Sequence, residues 1–275
     1  MTDIHHRTVT VDGLTTGYLE AGTGDPVILL HGGEFGASAE IGWEKTIPAL
    51  AERYRVIAPD MLGYGSTAKV LDFVDGRGMR IRHVASLCRQ LGVDSAIFVG
   101  NSMGAINLFV DATSEAPTLP ARAMVAICGG GEIQAGEHRS ALYDYDATRE
   151  AMRRIVTALF ADPGYPADDG YVTRRHESAT LPGAWEAIAA ARFRRPGSPP
   201  PAAASSARRY DRITMPALVI EGGSDKLLPS GWAAEIAGQI AGARSAVVEN
   251  AGHCPQIERP DVMNKLLLDF FEECA

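Results

Sequence analysis

An α/β protein with a mostly parallel central sheet and an inserted helical cap is what this sequence predicts. Three observations carry that expectation. Short apolar runs alternate with helical stretches, a Gly-x-Ser-x-Gly pentapeptide joins one such run to a helix, and one long segment interrupts the alternation with helices alone.

The first element is a hairpin. Arg7–Val11 and Leu14–Leu19 flank Asp12-Gly13, a dipeptide that accepts the positive φ of a tight turn. Six short apolar runs follow, at Pro26–Leu30, Arg55–Ala58, Ala96–Val99, Ala123–Cys128, Ala217–Ile220 and Ser245–Val248. Runs bounded by turn residues and separated by helices suit strands covered on both faces, hence a parallel sheet. Among the helices, Arg80–Leu91 carries Ile81, Val84, Ala85, Cys88 and Leu91 at helical spacing, with Gly92 as a left-handed stop. Asp261–Phe271 starts just after Pro260 and closes the chain.

Between the Ala123–Cys128 and Ala217–Ile220 strands no convincing strand is found. That segment holds helical stretches, Ala147–Phe160 the clearest, and a Pro- and Ala-rich run at 196–204. The expected division is a core at 1–131 and 209–275 and a cap at 132–208. Because the insertion leaves on the strand edge where ligands of open α/β sheets bind, it should roof the site, with Trp185, Ile188 and Phe193 facing it.

The 275 residues are 46% hydrophobic and 22% charged, an ordinary globular balance. A net charge of −8 without a long basic stretch speaks against a nucleic-acid partner. No run approaches the roughly 18 apolar residues of a membrane span, and Met1–Arg7 lacks the apolar region of a signal peptide. Cys88, Cys128, Cys254 and Cys274 lie far apart, which suits reduced thiols rather than zinc. The expectation is a cytoplasmic protein acting on a small molecule, anionic and partly apolar. A homodimer is the assembly considered, and neither metal nor organic cofactor is needed.

Gly100-Asn101-Ser102-Met103-Gly104 sits between the Ala96–Val99 strand and the helical stretch Ala105–Asp111. Chance alone would produce Gly-x-Ser-x-Gly roughly 0.15 times in such a chain, so the setting carries the signal. A turn this tight needs glycines and lifts the Ser102 hydroxyl to a helix N-terminus that favours an oxyanion. A serine alcohol needs a base, and the base needs a holder. Asp225 follows the Ala217–Ile220 strand and His253 follows Ser245–Val248, in the order serine, acid, histidine. Gly33, in the turn His31-Gly32-Gly33, and Met103 are placed to offer the two amides of an oxyanion hole. Asp60 also ends a strand; with the acid position filled by Asp225, it is read as a turn residue. The remaining histidines, His5, His6, His83, His138 and His176, are read as surface residues, only His176 lying where a ligand could reach.

With these residues in place the chain resembles the α/β-hydrolase superfamily over almost its whole length. More narrowly it resembles the hydrolases that cleave carbon–carbon bonds in meta-ring-fission products of aromatic degradation. The motifs are Gly-Asn-Ser-Met-Gly at 100–104, Pro-Asp-Met-Leu-Gly-Tyr-Gly at 59–65 and the cap stretch Tyr143–Glu150, which is similar to the carbazole-pathway type. The resemblance implies that Asn101 contacts substrate and that a cap arginine binds its carboxylate. Arg174 is the position matched to that arginine, with Arg175 the alternative one residue on. Gly32 and Cys254 complete the implied substrate contacts. Two departures stand out. The family's Gly-Pro-Gly element reads Gly33-Glu34-Phe35-Gly36 here, so that an acid faces a site expected to hold an anion, and Cys254 replaces the usual tryptophan. Two alternatives stay open with the same triad: a carboxylesterase or lactonase, and a non-hydrolytic biosynthetic or ligand-binding protein. Whether Arg174 points into the pocket is the feature that separates the first from carbon–carbon cleavage.

Overall fold

The structure, a computed structural model, describes residues 3–193 and 208–274. The Pro-rich run at 196–204 lies outside them.

Eight strands form one sheet: β1 (His5–Val11), β2 (Leu14–Ala21), β3 (Pro26–Leu30), β4 (Arg55–Pro59), β5 (Ala96–Asn101), β6 (Ala121–Ile127), β7 (Ala217–Gly222) and β8 (Arg244–Val248), in the order β1-β2-β4-β3-β5-β6-β7-β8. The hairpin turns through Asp12 at φ 49° and Gly13 at φ 80°, both left-handed as a type I′ turn requires. β2 also pairs antiparallel with β4, and every later pairing is parallel. β5 and β7 are buried end to end, and Val27, Ile97, Phe98 and Val99 have no exposure, because helices cover both faces.

The expected helices are present with shifted ends. Arg80–Leu91 is the C-terminal part of a helix spanning Gly76–Gln90, whose cap, Asp75, accepts the Gly78 amide at 3.0 Å. Gly76 and Gly78 are poor helix formers and conceal that first turn in the sequence; the aspartate cap and its tertiary setting outweigh them. Gly92 ends the helix at φ 68°. The last helix runs Pro260–Glu273.

Between β6 and β7 the described residues hold helices Glu137–Tyr143, Arg149–Leu159, Gly164–Ala167, Asp169–Ala179 and Ala184–Ala190, and no strand. Thr148 caps the second of these by accepting the Ala151 amide at 3.1 Å. The insertion is bolted to the loops beyond β7 and β8. Leu159 O accepts the His253 amide at 2.7 Å, Lys226 Nζ donates to Thr157 O and Phe160 O, and Glu258 accepts the amides of Ala161 and Asp162. These bonds bring the helical segment over the carboxyl edge of the sheet, where Ser102, Asp225 and His253 emerge.

Candidate active site

Ser102 occupies the turn between β5 and the helix Met103–Ala112 at φ 51° and ψ −111°, a conformation a serine adopts only when its surroundings impose it. The surroundings are close backbone: a Cβ at Gly100 would collide with Gly104 and Ala105, and one at Gly104 with Leu30. The strain turns the Ser102 hydroxyl away from the sheet and onto His253, with Oγ 2.9 Å from Nε2. His253 Nδ1 lies 2.8 Å from Asp225 Oδ2, so the proton belongs on Nδ1 and Nε2 is free to accept from the hydroxyl. Asp225 spends Oδ1 on the Leu227 amide at 2.8 Å, which fixes its rotamer.

Electrostatics sharpen the pair. Burial works against protonating His253, but the charge and hydrogen bond of Asp225 outweigh it and raise the imidazole pKa above 6.5. Burial likewise opposes ionising Asp225, and His253 with the Leu227 and Leu228 amides holds its carboxyl below the usual range. A base must be neutral to take a proton. We therefore expect kcat/KM to fall toward acid with an apparent pKa above 6.5. In Asp225→Asn the imidazolium loses its anion while the burial stays, so that limb moves to lower pH, with turnover down roughly 10⁴-fold. A pH profile whose acid limb is identical in the variant would show that another group titrates.

Gly33 and Met103 face one another closely; a Cβ at Gly33 would come within 2.8 Å of the Met103 Cβ. Met103 opens its helix, so its amide has no partner within it. His31 steadies the loop: the Met61 amide donates to its Nε2 at 2.9 Å, leaving Nδ1–H for Gly32 O at 2.7 Å. Burial lowers the pKa of His31, which keeps it neutral for that double role. Asp60 is a turn residue, taking the amides of Ala39 and Ser66 at 2.8 Å each.

A cavity of about 380 Å³ opens on this group, lined by Gly33, Glu34, Ser102, Met103 and His253 from the core and by Ile133, Leu142, Tyr143, Leu159, Ile188 and Arg192 from the insertion. A larger groove of about 460 Å³ runs past Arg174, Glu40 and Asp60 and contains no atom of the Ser–His–Asp chain, so the chemistry belongs to the smaller space.

Several expected contacts are corrected. Arg174 points to that other groove, bound to Glu44 at 2.6 Å on the exposed face of its helix. One residue on, the helix turns inward, so Arg175 is buried, paired with Glu34 and 3.1 Å from the Tyr171 hydroxyl. Asn101 and Cys254 lie behind the cavity: Asn101 Nδ2 donates to His253 O at 3.0 Å and Ile127 O at 3.3 Å, and the Cys254 thiol leans on Asn101 Oδ1. Their work is to hold the histidine loop against β6. Gly32 is likewise not part of the cavity wall, and a Cβ there would strike the Glu34 carboxylate. Of the apolar trio only Ile188 lines the cavity; Trp185 donates to Tyr145 O, and Phe193 lines an adjoining pocket. His83 is buried against Thr16 Oγ1 at 2.8 Å and is no surface residue.

Sequence reading missed Arg77, Arg80 and Arg192, which line the cavity from the Gly76–Gln90 helix and the end of the insertion. Nothing in their local sequence marks them, since surface arginines at helical spacing are common. Among the described residues the donor atoms of Cys128, Asp225 and His253 lie within 4.8 Å of one another. Burial and the Asp225 charge push the Cys128 thiol pKa well up, and the other two are committed to each other, so this group suits proton transfer rather than a metal.

Residues 27–266 match the alpha/beta hydrolase family. The chain is 33% identical to 2-hydroxy-6-oxo-6-(2'-aminophenyl)hexa-2,4-dienoic acid hydrolase of Metapseudomonas resinovorans, over 98% of this chain and 91% of that one. It is 29% identical to 2-hydroxymuconate semialdehyde hydrolase of a Pseudomonas species, over 97% and 94%. Among solved structures, a meta-cleavage product hydrolase from Pseudomonas fluorescens superposes with TM-score 0.86 at 29% identity, each chain covered to 98%. A serine hydrolase involved in carbazole degradation superposes with TM-score 0.80 at 31% identity, over 98% of this chain and 99% of that one.

Proposed function

Because this chain belongs to the alpha/beta hydrolase family, we propose that it is the hydrolase of a meta-cleavage-type substrate, with Ser102 as nucleophile, His253 as general base and acid, and Asp225 as the residue that orients and charges the histidine. The observation that carries the reading is the hydrogen-bonded line Asp225–His253–Ser102 opening into a cavity roofed by helical residues, in a chain similar end to end to carbon–carbon bond hydrolases. The thiols of Cys88, Cys128 and Cys254, buried and unpaired, accord with a cytoplasmic setting.

Carbon leaves only when its electrons can be delocalised. In a 2-hydroxy-6-oxo-dienoate, shifting the enol proton to C5 makes a diketone whose 2-keto group, through the remaining double bond, can take up the C5–C6 electrons. His253, beside the cavity, serves as the proton carrier for that shift. Ser102 Oγ then bonds to C6 as His253 takes its proton, and the carbonyl oxygen becomes an oxyanion facing the Gly33 and Met103 amides. The C5–C6 bond breaks as the oxyanion collapses, its electrons pass into a dienolate that takes the proton from His253 to become the dienol, and C6 stays on serine as an ester. Water, deprotonated by His253, releases the acid and restores the hydroxyl. The sum is substrate plus water giving one carboxylic acid and one dienol.

An esterase reading uses the same residues, and the discriminator set on Arg174 does not favour carbon–carbon cleavage, since that arginine faces Glu44. The deciding experiment assays 2-hydroxy-6-oxo-6-phenylhexa-2,4-dienoate and a series of short 4-nitrophenyl esters in parallel. Loss of the dienoate chromophore with release of benzoate, at a kcat/KM above that of every ester, is expected. Ester turnover with an untouched dienoate would replace this reading by the esterase one.

A further inference from the structure

We infer that the anionic end of the substrate is held at the outer side of the cavity by Arg77, Arg80 and Arg192, and not by the buried Arg175. This deepens the hydrolase reading, on which it rests, by fixing the polarity of its ligand. On the inner side, among the described residues, the cation is already paired: Arg175 meets Glu34 through Nη2, while its buried Nε has no hydrogen-bond partner. Arg175 has no exposure, is paired with Glu34, stands against Tyr171 and contributes no atom to the cavity wall. Glu34 is ionised: burial opposes its charge, but Arg175 and its own backbone amide hold its carboxyl below the usual range. The two charges cancel, so an incoming carboxylate would meet a neutral pair there.

The outer side is the reverse. Arg77, Arg80 and Arg192 share one cavity wall, and among the described residues none has a carboxylate oxygen within 4.0 Å. Their polar contacts are neutral: Arg77 Nη1 to Asn107 Oδ1 at 3.3 Å, Arg80 Nε to Leu62 O at 3.1 Å, Arg192 Nη1 to Leu142 O at 2.6 Å. The burial of the Arg77 guanidinium, with the like charges of Arg208 and Arg80, presses its pKa down. Two acids stand nearby. Asp144 acts on Arg192 from beyond ion-pair reach, and Asp72, in the adjoining pocket, takes the amides of Val74 and Asp75 on Oδ1. The segment 194–207 contains no Asp or Glu and two further arginines. Cations gathered in a partly desolvated wall with no carboxylate in ion-pair reach among the described residues repel one another, and an anion relieves that repulsion.

The spacing suits a short acid. Asn107, which Arg77 touches, lies four residues beyond Met103, about 6 Å along their helix. A carboxylate a few carbons from the reacting carbonyl reaches the arginines while that carbonyl faces the Met103 amide. Arg80 also lies over the Tyr64 ring at 5.8 Å, and the Tyr64 hydroxyl donates to Gly33 O at 2.8 Å, so the anion site and the oxyanion loop share a wall.

The test is R77Q/R80Q, with folding checked by circular dichroism and melting. Two pairs of measurements are compared with the wild type: kcat/KM for 2-hydroxy-6-oxo-6-phenylhexa-2,4-dienoate against 4-nitrophenyl butyrate, and inhibition of the ester reaction by hexa-2,4-dienedioate against its dimethyl ester. The anionic member of each pair should lose roughly 10- to 150-fold relative to the neutral one, mainly in KM and Ki. Equal losses on both members, or none, would overturn the inference. If the double variant unfolds, R77Q alone decides, since among the described residues the Arg77 side chain bonds Asn107 alone. A wild type that leaves the dienoate untouched defeats the hydrolase reading, while the inhibitor pair still judges the arginines.

Discussion

Ser102→Ala is expected to lower turnover by roughly 10⁴- to 10⁶-fold with its melting temperature nearly unchanged, because it removes one oxygen that lies at the cavity wall and is hydrogen-bonded to His253. The alanine should in fact keep or slightly gain stability, since a residue held at φ 51° is selected for its chemistry and not for the fold. Substrate binding should persist, so a ligand shift in melting temperature, measured beside steady-state rates, separates lost chemistry from lost structure. Residual turnover near the wild-type level would show that His253 activates water directly and that the serine is dispensable.

The second large effect is on stability. Glu34→Gln leaves Arg175 as an uncompensated buried cation, and breaking a buried pair in this way costs about 3–5 kcal/mol, a fall in melting temperature on the order of 10 °C. The double change Glu34→Leu with Arg175→Met should regain most of that, because apolar side chains of similar volume relieve both desolvation costs. The pH dependence has a definite sign. The Glu34 carboxyl is held below its ordinary 4.5, so its contribution is complete above that value and is lost as the pH falls through the folded-state value. Calorimetry of the single and double variants between neutral and acid pH checks all three points. A single variant that melts with the wild type would mean that Arg175 has water or another acceptor.

The fold was legible because its signals are local. Buried parallel strands need unbroken apolar runs such as Ala96–Val99, and the elbow needs its glycines whatever surrounds it. The Ser, Asp, His order was legible for the same reason: each residue follows its own strand within five positions, so sheet topology alone brings them to one edge. Boundaries were less legible. The Gly76–Gln90 helix begins four residues before the expected start at Arg80, because an aspartate cap starts it.

Side-chain direction and charge pairing were where local reading fell short. Spacing within one residue could not choose between Arg174 and Arg175, since adjacent helix positions point about 100° apart and only packing says which of them is inside. Glu34 read as an acid confronting the ligand, whereas it lies against an arginine 141 positions away that cancels its charge. Arg77, Arg80 and Arg192 carry no local mark of their place on the cavity wall, since which helix face meets the cavity is set by packing.

By itself the sequence determined the sheet, the elbow and the order of the triad, because each depends on backbone geometry and on residues close to one another along the chain. Only the tertiary structure decided which charges are paired and which are free. That depends on distances between helix faces more than a hundred residues apart, and Coulomb energy follows separation and burial in space, with no record of either in the order of residues.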